Sequence, residues 1–304
     1  MSFKRLDNSD FVVSSDAISS TLWSNDSPSL LTIFTSSAQV GGLSGNYYVN
    51  AYNTSTTSSN QFAIAYGNKV GSGSLVYNTA VDGKSPTDTI YGQWQDLVIG
   101  DENTDFIFGN ITSSEFFALP MERARYIESL FLGSLSLTLQ YGTSSITLTE
   151  NSNYVSSVQF CEAGRIFQLI TGSAGVRSTG LTYNTSDGYS ANSGSYGWLL
   201  PDIGTIILNP MALATVPISG GISFGYSGSK EWGPNVVVST GSASPTLSPN
   251  ISLFNSISSS LTSNPFRLNS QETITSDYIF VRPRSSEFNY SENPSFISGS
   301  TGEV

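Results

Sequence analysis

The stretches Leu135 to Tyr141 (LSLTLQY) and Ile146 to Thr149 (ITLT) decide the fold. In both, apolar and polar side chains alternate, which is the pattern of a β-strand with one buried face and one solvated face. The residues between them, Gly142 to Ser145, are small and polar and favour a turn. We therefore predict a β-hairpin at this point in the chain.

Short strand-like runs recur along the rest of the sequence, separated by clusters of Gly, Ser and Asn that favour turns. These runs are Gln61 to Tyr66, Ile166 to Ile170, Thr205 to Leu208, Ile222 to Phe224, Val236 to Val238 and Tyr278 to Val281. The pattern predicts a mainly β protein with β-sandwich-like antiparallel sheets and a few short helices in the connections.

Apolar residues at helical intervals predict three helices. The first begins after Ser85, a suitable N-cap, has Pro86 at its first helical position, and ends at Gly100. Its apolar residues are Ile90, Trp94, Leu97 and Val98. Further helices are predicted for Pro120 to Phe131 and for Ile251 to Leu261.

We expect one β-rich structural unit over residues 1–304, and a division into two subdomains near 150–175 is the alternative. The segment 285–304 has little periodicity and is predicted to be an extended C-terminal arm or an edge strand.

The charge composition argues against nucleic acid as a partner. Only 12% of the 304 residues are charged, and the formal net charge is −11. A nucleic-acid binder needs clustered Lys and Arg, whereas the nearest approaches here are Lys4-Arg5 and Arg282 with Arg284. Neither a signal peptide nor an apolar run long enough for a membrane span is evident, so we expect no membrane insertion and folding in a cytosol.

The residue types needed for common catalytic chemistry are scarce. Histidine is absent and Cys161 is the single cysteine, which removes the commonest general base, a cysteine-built metal centre and an internal disulfide. We therefore expect a non-enzymatic protein without a cofactor.

Two weak motifs leave alternatives open. The run Asp101 to Asp105 (DENTD) has the spacing that opens a calcium loop, but the glycine and the bidentate glutamate that should follow are replaced by Phe106 and Thr112. A solvated acidic turn is the plainer interpretation. The run Ser227 to Lys230 fits S-x-x-K without the accompanying motifs of a serine nucleophile.

Glycan chemistry is a further alternative. Acidic residues near Trp94 could support glycoside hydrolysis, although no spacing singles out a pair. A carbohydrate-binding surface could use Trp94, Trp198 or Trp232, although core packing is the commoner fate of such aromatics.

Three longer segments are distinctive: Asp82 to Gln93 (DGKSPTDTIYGQ), Leu200 to Pro210 (LPDIGTIILNP) and Ser276 to Pro294 (SDYIFVRPRSSEFNYSENP). Together with Phe3 to Leu6 and Asp10 to Val13, they resemble a family of virion structural proteins from contractile-tailed marine phages that infect cyanobacteria. Members of that family continue past the motif Glu287 to Tyr290 into further strands, whereas this sequence stops at Val304.

The resemblance implies a structural protein of the virion, assembled in the host cytoplasm, in the tail or baseplate. It implies other virion proteins and copies of the chain itself as partners; a capsid-surface or fibre-type protein that binds a receptor or glycan is the alternative. An extended segment could add a strand to a neighbouring sheet, so we predict an interface over Tyr278 to Phe296, with a strand in the chain's own sheet as the equal alternative. Its predicted contact residues are Tyr278, Phe280, Arg282, Arg284, Phe288, Tyr290 and Phe296.

Overall fold

The computed structural model describes residues 7–28, 32–35, 48–52, 59–71, 86–109, 111–141, 144–179, 195–214, 249–258 and 264–280. The strands are β1 (Phe11–Thr21), β2 (Thr32–Thr35), β3 (Tyr48–Tyr52), β4 (Asn60–Asn68), β5 (Phe106–Phe108), β6 (Ile111–Ser113), β7 (Glu115–Pro120), β8 (Ser129–Leu130), β9 (Ser136–Tyr141), β10 (Ser144–Glu150), β11 (Gln159–Cys161), β12 (Gly164–Ser173), β13 (Val176–Arg177), β14 (Gly197–Leu200), β15 (Thr205–Leu208), β16 (Phe266–Arg267) and β17 (Asn269–Ile279). The helices are α1 (Pro86–Ile99), α2 (Pro210–Ala214) and α3 (Pro249–Ser258).

The predicted hairpin is confirmed as β9 and β10, which pair antiparallel with Ile146 opposite Leu139. The described apolar residues of the pair, Leu137, Leu139, Ile146 and Leu148, are buried, as the alternation predicts. The other face is less solvated than predicted, since Thr138 is only 5% exposed. Its hydroxyl lies 3.0 Å from that of Thr147, so that burial leaves neither group without a hydrogen bond.

The mainly β class is confirmed. A large antiparallel sheet runs in the order β16-β9-β10-β12-β14-β15-β7-β4-β3-β2, and β11 and β13 also pair with β12. The sheet curls on itself. Strands β16 and β4 are far apart in this order, yet the ring of Phe266 in β16 lies 5.5 Å from that of Phe62 in β4. The main hydrophobic cluster fills the space enclosed in this way.

The middle of the sheet is buried on both faces. Phe117 in β7 points into the main cluster, while its neighbours Phe116 and Ala118 belong to a second cluster. Side chains of α1 and β5 complete this second cluster, with Tyr91 and Phe106 as its aromatic contacts. This explains why β14 and β15 are continuous apolar runs rather than alternating ones.

The first predicted helix is confirmed as α1, and Gly100 follows it with φ +79°. Its buried face differs in detail from the prediction, since Leu97 is 51% exposed while Gln95 is buried. Ser85 lies outside the described residues. The third predicted helix corresponds to α3, and positions after 258 in it lie outside the described residues.

The helix predicted for Pro120 to Phe131 is wrong. A single 3-10 turn, Arg123–Arg125, replaces it and is followed by β8. The Arg123 guanidinium donates hydrogen bonds to the carbonyl oxygens of Tyr126 and Ile127, and these contacts occupy acceptors that a helix would use. These local hydrogen bonds, together with the tertiary pairing of Leu130 with Ser270 in β17, override the apolar spacing.

Of the other predicted strands, Gln61 to Tyr66 lies within β4, Ile166 to Ile170 within β12, and Thr205 to Leu208 is β15. The runs Ile222 to Phe224 and Val236 to Val238 lie outside the described residues. So does the predicted arm, 285–304.

The chain divides into two compact units, one formed by Met1–Ile18 with Thr273–Val304 and the other by Ser19–Glu272. The large sheet and both hydrophobic clusters lie in the second unit. The alternative of a division near 150–175 stays a prediction. Within the described ranges, no helix has the length and apolar character that a membrane span requires.

Candidate interaction surface

The first unit contains a two-stranded ribbon made of the adjoining parts of β1 and β17, residues 11–18 and 273–279. The amide of Phe280 donates a 2.7 Å hydrogen bond to the carbonyl oxygen of Asp10. Five residues further along β1, the hydroxyl of Ser15 lies 2.9 Å from that of Thr275. The two contacts fix an antiparallel register in which Phe11 faces Ile279 and Val12 faces Tyr278.

Both faces of this ribbon carry exposed apolar side chains. Val12 and Tyr278 share one face and are 51% and 54% exposed. On the other face, Val13 and Ile279 are 56% and 57% exposed. With Phe11 beside them, these residues form a cluster of exposed apolar side chains, which is one mark of an interaction surface.

All charged residues in the ribbon and in the short turn before it are acidic. Residues 7–18 and 273–280 contain Asp7, Asp10, Asp16 and Asp277, and they contain no lysine or arginine. Asp7 and Asp10 cap the short 3-10 turn before β1, each accepting a hydrogen bond from a backbone amide. Asp16 and Asp277 lie on the strands themselves and are exposed.

Two of the predicted interface residues fall in the described chain. Tyr278 and Phe280 lie on the ribbon or directly after it and are 54% and 56% exposed. Their role in an interface stays a prediction. The others, Arg282, Arg284, Phe288, Tyr290 and Phe296, lie outside the described residues.

Sequence reasoning missed the β1 half of this surface. Phe11, Val12 and Val13 are three consecutive apolar residues before a polar run, which is too short a pattern to identify a strand. Their pairing with β17 joins segments from distant parts of the sequence, and nothing local encodes such a partner.

The acidic run after α1 is a turn held by its own side chains. Asp101 accepts hydrogen bonds from the hydroxyl of Thr104 and from the amide of Asn103, and these bonds lower the pKa of the Asp101 carboxyl. Asp105 forms an ion pair with Lys69, with a distance of 2.7 Å between Nζ and Oδ1. Across the described ranges, no group of three or more acidic or cysteine side chains is placed to hold a metal ion.

Another acidic residue near Trp94 in the sequence has a structural partner. Glu115 is 6% exposed, and its Oε2 accepts a 2.5 Å hydrogen bond from the Tyr66 hydroxyl. The Asn68 amide donates in turn to that hydroxyl. Asn68 and Glu115 are directly opposite each other in the β4–β7 pair, so the strand register itself assembles this buried network.

The tryptophans considered for a carbohydrate surface are packed in the protein where they are described. Trp198 is 6% exposed and lies 4.9 Å from Phe108 between ring centroids. Trp94 lies against Phe116 in the same cluster. Trp232 and the run Ser227 to Lys230 lie outside the described residues.

Cys161 is a half-buried free thiol whose pKa is raised by burial.

Comparison of this chain with known protein families, with curated proteins and with solved structures found no match.

Proposed function

We propose that this chain is a non-enzymatic structural subunit of a phage virion, with a place in the tail or baseplate. The observation that carries the proposal is the β1–β17 ribbon, which exposes Val12 and Tyr278 on one face and Val13 and Ile279 on the other. A subunit whose working state is an assembly has a reason to retain such a surface.

The physical argument concerns the stability of the ribbon. A two-stranded ribbon is marginally stable in water unless further strands or another surface cover it. Exposed β-strand edges with apolar side chains also invite unwanted pairing, and proteins that act alone usually protect them. A partner subunit that covers the ribbon would stabilise it and would also protect its strand edge from unwanted pairing.

The second unit supports a structural role in a different way. Several carboxylates that were candidates for catalysis instead form hydrogen bonds or ion pairs that stabilise the fold. Glu115 is bound to Tyr66, Asp101 organises a turn, and Asp105 is paired with Lys69. The resemblance of the sequence to virion structural proteins favours the same conclusion.

The charge of the ribbon favours protein partners. Its strands carry Asp16 and Asp277 and no basic residue, which opposes contact with a phosphate backbone. The proposed partners are other virion proteins and copies of this chain, and the proposed location is the virion, assembled in the host cytoplasm. A capsid-surface or fibre protein that binds glycans has less support, since Trp198 and Trp94 pack within a cluster instead of forming a platform.

Immunogold electron microscopy of intact virions, with antibody raised to this chain, tests the proposal. Label at the end of the tail is the expected result. Label confined to the head would favour the capsid-surface alternative. Absence of label from every particle, with the antibody shown to bind the purified chain, would overturn the virion proposal.

A further inference from the structure

We infer that the ribbon binds an extended, basic segment of a different virion protein, which pairs with the outer side of β1 as an added strand. The inference rests on the proposed function in one respect, because the partner is another protein of the particle. Three features of the ribbon carry it: the direction of its backbone groups, the position of its apolar side chains and the sign of its charges.

The hydrogen bonds of the ribbon leave alternate backbone groups of β1 pointing away from β17. The Phe280 amide donates to the carbonyl oxygen of Asp10, so the even-numbered residues of β1 are those that bond to β17 in this antiparallel register. The amide and carbonyl groups of Phe11, Val13 and Ser15 therefore point to the other side of β1. In the described part of the chain, no strand lies on that other side. An extended segment can bond to this row of groups, as in strand addition to an exposed sheet edge.

Apolar side chains flank this row on both faces of the ribbon. Phe11 and Val13 point to one face, Val12 points to the other, and each is about half exposed. A strand added beside them would place its own side chains alternately on the two faces, next to these residues. Apolar side chains at those positions would remove apolar surface from water. The partner segment is therefore apolar on both faces where it pairs with residues 11–13.

Each face of the ribbon also carries an exposed acidic side chain. In the register of the ribbon, Asp277 is opposite Val13 and shares its face, while Asp16 shares the face of Val12. Asp16 lies next to the position of an added strand, and Asp277 lies one strand further away. The hydroxyl of Ser14 donates to Asp16 Oδ2 at 3.4 Å, and within the described ranges neither aspartate forms an ion pair. A basic residue on each face of the partner, beyond its apolar residues, complements this field.

The charge balance favours such a partner over a second copy of this chain. Residues 7–18 and 273–280 contain four aspartates and no lysine or arginine. The sequence of the whole first unit, residues 1–18 and 273–304, has seven acidic and four basic residues, and the complete chain has a formal net charge of −11. Two copies would therefore repel each other at these strands, whereas a basic segment would be attracted. Charge complementarity of this kind selects the partner.

Three synthetic peptides test the inference on the purified full chain. The lysine peptide has an apolar run of valine and threonine followed by two successive lysines, which point to opposite faces of a strand. The glutamate peptide replaces both lysines by glutamate. The third peptide keeps the lysines and is N-methylated at every residue of the run, which removes the amide donors that strand addition needs. Fluorescence anisotropy of labelled peptides at low salt measures the dissociation constants.

We expect the native chain to bind the lysine peptide about tenfold more tightly than the glutamate peptide and not to bind the N-methylated peptide. Asp16→Lys with Asp277→Lys should reverse the preference between lysine and glutamate. Asp96→Lys with Glu102→Lys, two exposed sites in the second unit, makes the same change in net charge and should leave the native preference unchanged. Circular dichroism melting verifies that every variant is folded.

Absence of binding by the lysine peptide would overturn the inference, and so would equal binding of the lysine and glutamate peptides or equal binding of the N-methylated peptide. A native chain that dimerises in sedimentation velocity and then excludes the lysine peptide would assign the ribbon to a second copy, which also overturns it. The proposed function fails on a different result, namely absence of the chain from purified virions. A chain that is present in virions but does not distinguish the peptides would keep its structural role and lose the basic partner.

Discussion

The backbone amide of Phe280 donates a hydrogen bond to the carbonyl oxygen of Asp10, and this bond joins the start of β1 to the end of β17. It places Val12 opposite Tyr278 on a ribbon that is exposed on both faces. The fold thus keeps its enclosed hydrophobic core in one unit and presents apolar strand surface in the other.

The apolar side chains of the ribbon should contribute to association and not to the folding of the second unit. Replacing Val12 and Tyr278 together by serine should lower the amount of the chain incorporated into purified virions, while the main thermal transition of the free chain stays within about 2 °C, since exposed sites usually contribute little to stability. Leu97→Ser with Ile107→Ser is the matched control, because both side chains are also about half exposed. An equal loss of incorporation in the control would contradict a specific role for the ribbon.

The enclosed core should dominate the stability of the second unit. Phe117 is fully buried in the main cluster and its ring lies 5.1 Å from that of Tyr66. Phe117→Ala should lower the free energy of unfolding by about 3–5 kcal/mol, through lost transfer energy and the cavity left behind. Urea denaturation measures the change. Phe160→Ala, at a side chain that is 72% exposed, should cost less than about 0.5 kcal/mol.

Two glycines should respond in opposite ways to the same substitution. Gly197 has φ +142°, and a Cβ there would overlap the carbonyl oxygen of Ile207 on the neighbouring strand β15. Gly197→Ala should therefore lower the free energy of unfolding by about 2 kcal/mol or more. Gly92 lies inside α1 with open space around its Cβ position, so Gly92→Ala should raise it by about 0.5–1 kcal/mol. Urea denaturation that showed equal losses would contradict these backbone assignments.

Buried Glu150 should make the stability of the second unit depend on pH. Burial raises the pKa of this carboxyl above its ordinary value of 4.5, although hydrogen bonds from the Gly133 amide and the Thr149 hydroxyl oppose the shift. The folded state therefore binds the proton more tightly than the unfolded state. The resulting stability is fully present below the unfolded pKa and is lost as the pH rises through the raised folded pKa.

Glu150→Gln keeps an oxygen that can accept from Gly133 and removes the charge. Relative to the native chain, the variant should gain stability as the pH rises from about 4 to 7. Urea denaturation at several pH values measures this difference. Glu102→Gln, at an exposed surface site, should show no such trend. A difference between Glu150→Gln and the native chain that stays constant with pH would contradict the assignment.

Local patterns predicted the parts of the fold that depend on neighbouring residues. The β9–β10 hairpin follows from alternation on either side of a short connection, and α1 follows from its spacing and Gly100. The segment from Pro120 to Phe131 shows the limit of such reasoning. Its apolar spacing fits a helix, but Leu130 pairs with Ser270 in β17, a contact that no local pattern contains.

The candidate surface was predicted only in part for the same reason. Tyr278 and Phe280 were named from the sequence, and both are exposed. Phe11 and Val12 were missed because their importance depends on pairing with a strand near the other end of the sequence. The burial of Trp198 is likewise a tertiary property, since an aromatic residue in an apolar run suits either a core or a binding platform.

Hydroxyl-radical footprinting of the free chain and of purified virions most directly tests whether the ribbon is an assembly interface. Oxidation of Phe11 and Tyr278 should be high in the free chain and strongly reduced in the particle, while buried Phe117 stays protected in both. Equal oxidation of Phe11 and Tyr278 in the free chain and in the particle would contradict the claim that assembly covers the ribbon.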